Sequence, residues 1–170
     1  GGTSLFDCLR EGRTQGGNYS EQEQLLLHQV ISELPRFQFE GGSKYVFTQC
    51  YPLPEQDCTS VMFDLNYFKY CFLKLRGIEF NEYTLQADFD RLADDLLQED
   101  ADTFLYRDFQ ARNVMLREGR PYFIDYQGGR RGPIFYDVAS FLWQASARYS
   151  DALRAQLIDT RSEEHTSELQ

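Results

Sequence analysis

The chain is poor in the residues that build metal and disulfide frameworks. It has two histidines, and its four cysteines, Cys8, Cys50, Cys58 and Cys71, show no CxxC spacing. A zinc site has little to build on, and thiols so scattered suit a reducing compartment, so a cytoplasmic protein is expected. No apolar run is long enough to span a bilayer, so no membrane partner is expected. Basic residues are in deficit: 17 Lys and Arg stand against 27 Asp and Glu, a formal charge of −10. That balance argues against general nucleic-acid binding, which needs basic surface to neutralise phosphates, and leaves room for a local basic pocket around one phosphorylated ligand. There is no recognisable signal peptide, and the chain opens on Gly1-Gly2 rather than Met, so a missing upstream segment is expected.

What is present is a chain of 170 residues, 42% hydrophobic and 15% aromatic, enough for one well-buried core and hence one domain. Gly1 to Asn18 reads as a connector around Leu5-Phe6, with a short helix over Ser4–Leu9. Gly16-Gly17 reads as a turn, since no Lys-Ser/Thr follows to make a phosphate loop. Ser20-x-x-Glu23 is a capping box, and Leu26, Leu27, Val30, Ile31 and Leu34 follow at helical spacing until Pro35, where the helix is expected to stop. Phe37 to Thr59 reads as irregular, with Tyr45–Cys50 a short strand or extended loop. A second helix is predicted over Ser60–Arg76, closed by Gly77 and apolar around most of its circumference, as a central helix would be. Within it, Asp64, Asn66 and Lys69 are weighed as substrate-facing against the commoner solvent or capping roles. A third helix starts at Thr84. Asp137–Tyr149 and Ser150–Ile158 read as two final helices.

The most informative stretch is Thr103–Phe141. Apolar runs at Thr103–Tyr106 and Val114–Leu116 flank a polar segment holding Asp108 and Asn113, and a third run, Pro121–Ile124, delivers Asp125. Glu118-Gly119-Arg120 is a short turn, which predicts a β-hairpin. Two carboxylates and a carboxamide are thereby gathered at one edge of a small sheet, and such oxygen donors suit Mg²⁺. The overall expectation is an α+β, mostly helical domain with a minor β element at its working edge.

Tyr106 to Asn113 has the spacing of the H-x-D-x-x-x-x-N catalytic loop of kinases, with Tyr in first place. Asp125-Tyr126-Gln127 is placed like the metal-binding D-F-G, and Gly132-Pro133 and Asp137-Val138-Ala139 are similar to the G-P…D-L-A that follows in aminoglycoside-phosphotransferase-like kinases. The chain thus resembles the C-terminal lobe of that superfamily, a protein-kinase-like fold, most strongly over Phe104–Leu142. In wording it is closest to bacterial sugar kinases acting on amino sugars of the cell wall. The resemblance implies ATP and Mg²⁺ as cofactors and a small-molecule hydroxyl acceptor, sugar-like, with Asp108 as catalytic base and Asn113 and Asp125 as metal and cofactor ligands. Asp137 is expected to brace the catalytic loop rather than react. The roles of Arg107, Arg112, Arg130 and Arg131 stay open between surface salt bridges and phosphate contacts, with Arg130-Arg131 read as a solvated basic turn.

Tyr106 departs from the usual His, whose part is packing and bracing. A second departure weighs more: the N-terminal lobe with its phosphate-engaging strand Lys is missing, and Lys44, Lys69 and Lys74 are not in a suitable strand. Residues 1–160 are therefore expected to be a C-terminal lobe, inactive alone and partnered by the missing N-terminal lobe of the same chain. Arg161–Gln170, RSEEHTSELQ, looks like the in-frame translation of a widely used sequencing adapter and is set aside as a non-native tail. Two alternatives remain: a kinase-like nucleotide-binding or regulatory module without catalysis, or a choline- or homoserine-type kinase.

Overall fold

The computed structural model describes residues 2–98 and 102–168. The chain opens with strand β1 (Thr3–Ser4), then helices α1 (Leu5–Cys8) and α2 (Arg10–Thr14). Helix α3 (Glu21–Arg36) passes into a π turn (Phe37–Gly41), the short α4 (Gly42–Lys44) and a 3₁₀ turn (Phe47–Gln49). Helix α5 (Cys58–Phe68), a second π turn (Lys69–Lys74) and α6 (Glu82–Leu97) follow. The β-rich part is β2 (Thr103–Leu105), β3 (Val114–Arg117), β4 (Arg120–Phe123) and β5 (Arg130–Gly132), and α7 (Phe135–Leu142) and α8 (Asp151–Glu168) close the chain. The strands form two small antiparallel sheets, one ordered β1-β3-β4 and one pairing β2 with β5. The domain is thus mostly helical α+β, as the order of patterns implied.

The capping box at the start of α3 is formed in both directions, Ser20 accepting from the Glu23 amide and Glu23 from the Ser20 amide. Glu23 does more than cap, because its Oε1 also accepts the Gly12 amide at 3.0 Å. Backbone hydrogen bonds to Gly12 and Ser20 hold its carboxyl below the usual range against the opposing effect of burial. The buried face of α3 (Leu27, Val30, Ile31, Leu34) meets Leu153 and Leu157 of α8 and the aromatics Phe104, Tyr106, Phe109 and Phe141 in one core. That core is the platform on which the polar loop rests.

Five expectations are corrected. The first eighteen residues are not a connector: Thr3 and Ser4 pair with Leu116 and Met115, and Leu5 and Leu9 are fully buried. Pro35 does not end its helix. Proline has no amide to donate one turn back, yet the helix runs on to Arg36 and passes into the π turn at Phe37–Gly41. The Tyr45–Cys50 segment holds a 3₁₀ turn rather than a strand. The helix predicted over Ser60–Arg76 is not central either. Phe63, Tyr67, Phe68, Tyr70, Phe72 and Leu75 are all exposed, so its apolar circumference does not mark burial. Its end is as expected, with Gly77 at φ 65°. Of the two final helices, the first is shorter than predicted, ending at Leu142.

Candidate active site

Strands β3 and β4 form the predicted hairpin, in register from Val114↔Phe123 to Arg117↔Arg120. Its two-residue turn puts Glu118 and Gly119 at φ 53° and 74°, the left-handed pair that matches strand twist. The open end of the hairpin matters more. Asn113 precedes β3 directly, and the Ile124 amide donates to the Asn113 carbonyl at 3.0 Å, one residue before Asp125. Asp108 comes from the loop after β2, which belongs to the other sheet. Asn113 joins it to the hairpin, donating from Nδ2 to the Asp108 carbonyl at 2.9 Å and to its carboxylate at 3.1 Å. Gln110 Nε2 donates to the other carboxylate oxygen at 2.7 Å. Asp108 and Asn113 are therefore in contact, and Asp125 adjoins them through the backbone.

Tyr106 and Asp137 brace this loop from within the core. The Tyr106 hydroxyl donates to the Ile124 carbonyl and lies 3.4 Å from that of Asn113, so one side chain spans both strands of the hairpin end. Burial, then the charges of Asp108, Asp125 and Asp137, push its ionisation well above the ordinary tyrosine range, and it stays a neutral donor. The bracing expected of the family's His is thus performed by a phenol. Asp137 is fully buried and accepts from the Tyr106 amide at 2.9 Å, the Arg107 amide at 2.8 Å and Gln38 Nε2 at 3.0 Å. Gln38 in turn accepts at 3.1 Å from Arg161, the first residue of the stretch set aside as a non-native tail. Gln38 carried no signal in the sequence, because nothing local distinguishes a glutamine in a π turn from a solvated one.

Burial outweighs those three hydrogen bonds and pushes the Asp137 carboxyl from 3.8 up to about 6. The sign of the linkage follows. A raised carboxyl pKa contributes stability that is complete below pH 4 and lost as pH rises through 6. A ¹³C NMR titration of the Asp137 carboxyl is expected to show a midpoint near 6. Between pH 4 and 6 the stability difference between the native chain and Asp137→Asn should move by up to about 3 kcal/mol in favour of the asparagine variant.

The four arginines left open divide clearly. Arg107 donates to Asp64 of α5 at 2.6 Å in a half-buried pair, tying the loop to that helix. The guanidiniums of Arg112 and Arg13 both lie over the Phe6 ring, 3.9 and 3.4 Å from its centroid. Arg131 lies 4.9 Å from the Phe47 ring centroid and pairs with Asp102. Arg130 corrects the expectation of a solvated turn, since it is 1% exposed and donates to Ser60 Oγ at 3.1 Å.

Among the described residues no three of His, Cys, Asp and Glu converge on a metal position. The donor set at the hairpin end nevertheless suits Mg²⁺. With its Nδ2 engaged at Asp108, Asn113 has its carboxamide oxygen left over, and Asp125 is exposed with no ion pair among the described residues. Two hard oxygens are enough where water and phosphates complete the shell. Arg107 and Asp125 also have left-handed backbone, at φ 76° and 68°.

The chain is similar to known proteins. The chain is 33% identical over 110 residues to an N-acetylmuramate/N-acetylglucosamine kinase of Neisseria meningitidis, a match covering 62% of this chain and 33% of the relative. It is 38% identical over 65 residues to a protein of the same name from Pseudomonas aeruginosa, covering 36% of this chain and 19% of the relative. The chain thus spans about a third or less of the length of the curated relatives it matches. The family described as "Phosphotransferase enzyme family" (APH) matches residues 71–169, more than half of the chain. With Asp108, Asn113 and Asp125 at one hairpin end and Asp137 beneath them, the chain belongs to the APH phosphotransferase family.

Proposed function

We propose that the chain is the acceptor-side lobe of an ATP- and Mg²⁺-dependent kinase that phosphorylates a hydroxyl of an amino sugar. The observation that carries this is the Asp108–Asn113 contact at the open end of the hairpin, next to Asp125. Phosphoryl transfer asks a protein to position its reactants and to offset charge on the migrating group. Asp108, exposed and held by Gln110 and Asn113, accepts or orients the proton of the attacking hydroxyl. Asn113 and Asp125 hold Mg²⁺, which offsets the charge of the nucleotide phosphates. Asp137 and Tyr106 keep the loop in place without touching substrate. Support for the amino-sugar acceptor comes from the names of the two relatives.

None of the three lysines of this chain lies in a strand that would bring it to the nucleotide phosphates. Lys69 and Lys74 both pair with Glu82, at 2.5 and 2.9 Å, where the π turn after α5 meets α6. Activity is therefore to be measured on the full-length parent, with ATP, Mg²⁺ and a panel of N-acetylglucosamine, N-acetylmuramate, glucose, choline and homoserine. ADP release with the amino sugars is the expected result. Nucleotide binding without turnover on any acceptor would favour a regulatory module, and turnover confined to choline or homoserine would overturn the sugar assignment.

A further inference from the structure

Asp108 follows directly on one arginine and stands four positions before another, yet neither pairs with it. Its carboxylate is exposed, and the hydrogen bonds it accepts come from two neutral carboxamides, those of Gln110 and Asn113. Arg112 is spent on the Phe6 ring, 3.9 Å from its centroid. Arg107 is the more telling of the two. Residues adjacent in the chain have Cα atoms about 3.8 Å apart, so the long arginine side chain has the reach to meet the carboxylate beside it. Its guanidinium is engaged at α5 instead, donating from Nη2 to Asp64 Oδ1 at 2.6 Å.

Asp64 is set between two guanidiniums. Arg130 is 1% exposed and fixed in β5, donating to Ser60 Oγ at 3.1 Å and to the Gly128 carbonyl at 3.4 Å. Burial, and next the charge of Arg107, lower the ionisation of Arg130, while Asp64 opposes both. The second Asp64 oxygen lies 3.5 Å from the Tyr136 hydroxyl, so α7 also bounds this carboxylate. Arg130 is locked in place, whereas the Arg107 side chain is half-buried and can swing. Without Asp64, repulsion from Arg130 would turn Arg107 outwards, and the carboxylate next to it in the chain is Asp108. A guanidinium that pairs bidentately with a carboxylate takes both of its oxygens. It would displace Gln110 and Asn113, stabilise the charged form and leave a poorer acceptor for the proton of the attacking hydroxyl. We propose that Asp64 is a positioning residue for phosphate transfer: it holds the Arg107 guanidinium on α5 and so keeps Asp108 open to the acceptor. The proposal rests on the reading of Asp108 as base and adds to it a task for a helix outside the catalytic loop.

Two measurements test this, one of them without any turnover. In the chain itself, ¹H–¹⁵N spectra of the side-chain amides of Gln110 and Asn113 report what Asp108 is bonded to. Asp64→Ala is expected to shift both signals. Adding Arg107→Met, which keeps the stem and carries no donor, should return them to their native positions. Asp64→Glu preserves a carboxylate for Arg107 and should leave them in place. In the full-length parent, Asp64→Ala should lower kcat at least about tenfold, a part of the hundredfold or more that a positioned base supplies, with the KM for ATP within about twofold of native. The Asp64→Ala, Arg107→Met double variant should recover to within about threefold of native. A mere tie between α5 and the loop gives another result, because single and double variants have lost the same tie and would be equally impaired. Equal impairment, or shifts that persist in the double variant, would overturn the proposal. So would unmoved amide signals in an alanine variant whose urea midpoint shows it folded, with the isosteric Asp64→Asn read in its place should alanine unfold the chain. The two readings fail separately. Reversible amide shifts in a chain whose full-length parent phosphorylates nothing leave the hold of Asp64 on Arg107 standing and remove the kinase assignment. Native turnover in Asp64→Ala does the reverse.

Discussion

Replacing Asp108 by asparagine in the full-length parent is expected to lower kcat about a thousandfold, in the range attributed to a positioned general base. The side chain is exposed, and its hydrogen bonds come from Gln110 at 2.7 Å and Asn113 at 3.1 Å. An asparagine of the same shape keeps one oxygen for these donors, and water relieves the other position. The fold should therefore change by less than about 1 kcal/mol. Nucleotide affinity should survive as well, because the proposed Mg²⁺ ligands are Asn113 and Asp125. The decisive comparison is kcat against nucleotide affinity and urea midpoint in the same preparation. Turnover within tenfold of the native enzyme would remove Asp108 from the chemistry. Loss of nucleotide binding in parallel would move it to the metal shell.

Asp137→Ala should have the largest effect on stability. The carboxyl is fully buried and is the acceptor for two backbone amides and the Gln38 carboxamide. Alanine leaves three donors without a partner, at about 1–3 kcal/mol each. Against this stands a return of at most about 3 kcal/mol from no longer burying an ionised carboxylate. Unsatisfied donors win, and a net loss of about 3 kcal/mol is expected, a large share of the 5–15 kcal/mol typical of a domain. Urea unfolding followed by circular dichroism measures it, with Asp137→Asn as the milder control that keeps one acceptor oxygen. An unchanged midpoint in the alanine variant would show that the loop is held by other means.

These two aspartates show how unevenly a sequence reports on a site. The spacing from Tyr106 to Asn113, the hairpin turn and the carboxylate after β4 were all legible, because each depends on residues close along the chain. The bracing part of Asp137 was legible through the resemblance. Its partner Gln38 was not, lying 99 positions away with no local pattern to mark it. Other misreadings share that cause. The β1–β3 pairing joins Thr3 to Leu116, and two residues of strand carry too little alternation to announce a register. Arg130-Arg131 has the composition of a solvated turn, yet β5 places Arg130 in the interior beside Ser60, a fact of tertiary contact alone. On the helix after Ser60 the error ran the other way. Hydrophobicity predicted burial, but the exposed aromatics from Phe63 to Phe72 show apolar surface that the described residues do not cover.

The two left-handed residues of the site have a consequence for mutational tolerance. Arg107 at φ 76° and Asp125 at φ 68° occupy backbone that glycine adopts more readily than any other residue. On conformational grounds alone, drift at either position runs towards glycine, and each such step would relax the chain while discarding a charge. Random variants selected only for thermal resistance should thus accumulate glycine at position 125, whereas at position 107 the Arg107–Asp64 pair opposes that drift. Selection for phosphate transfer should hold the Asp125 carboxylate in place, so stability and activity are opposed at that one point.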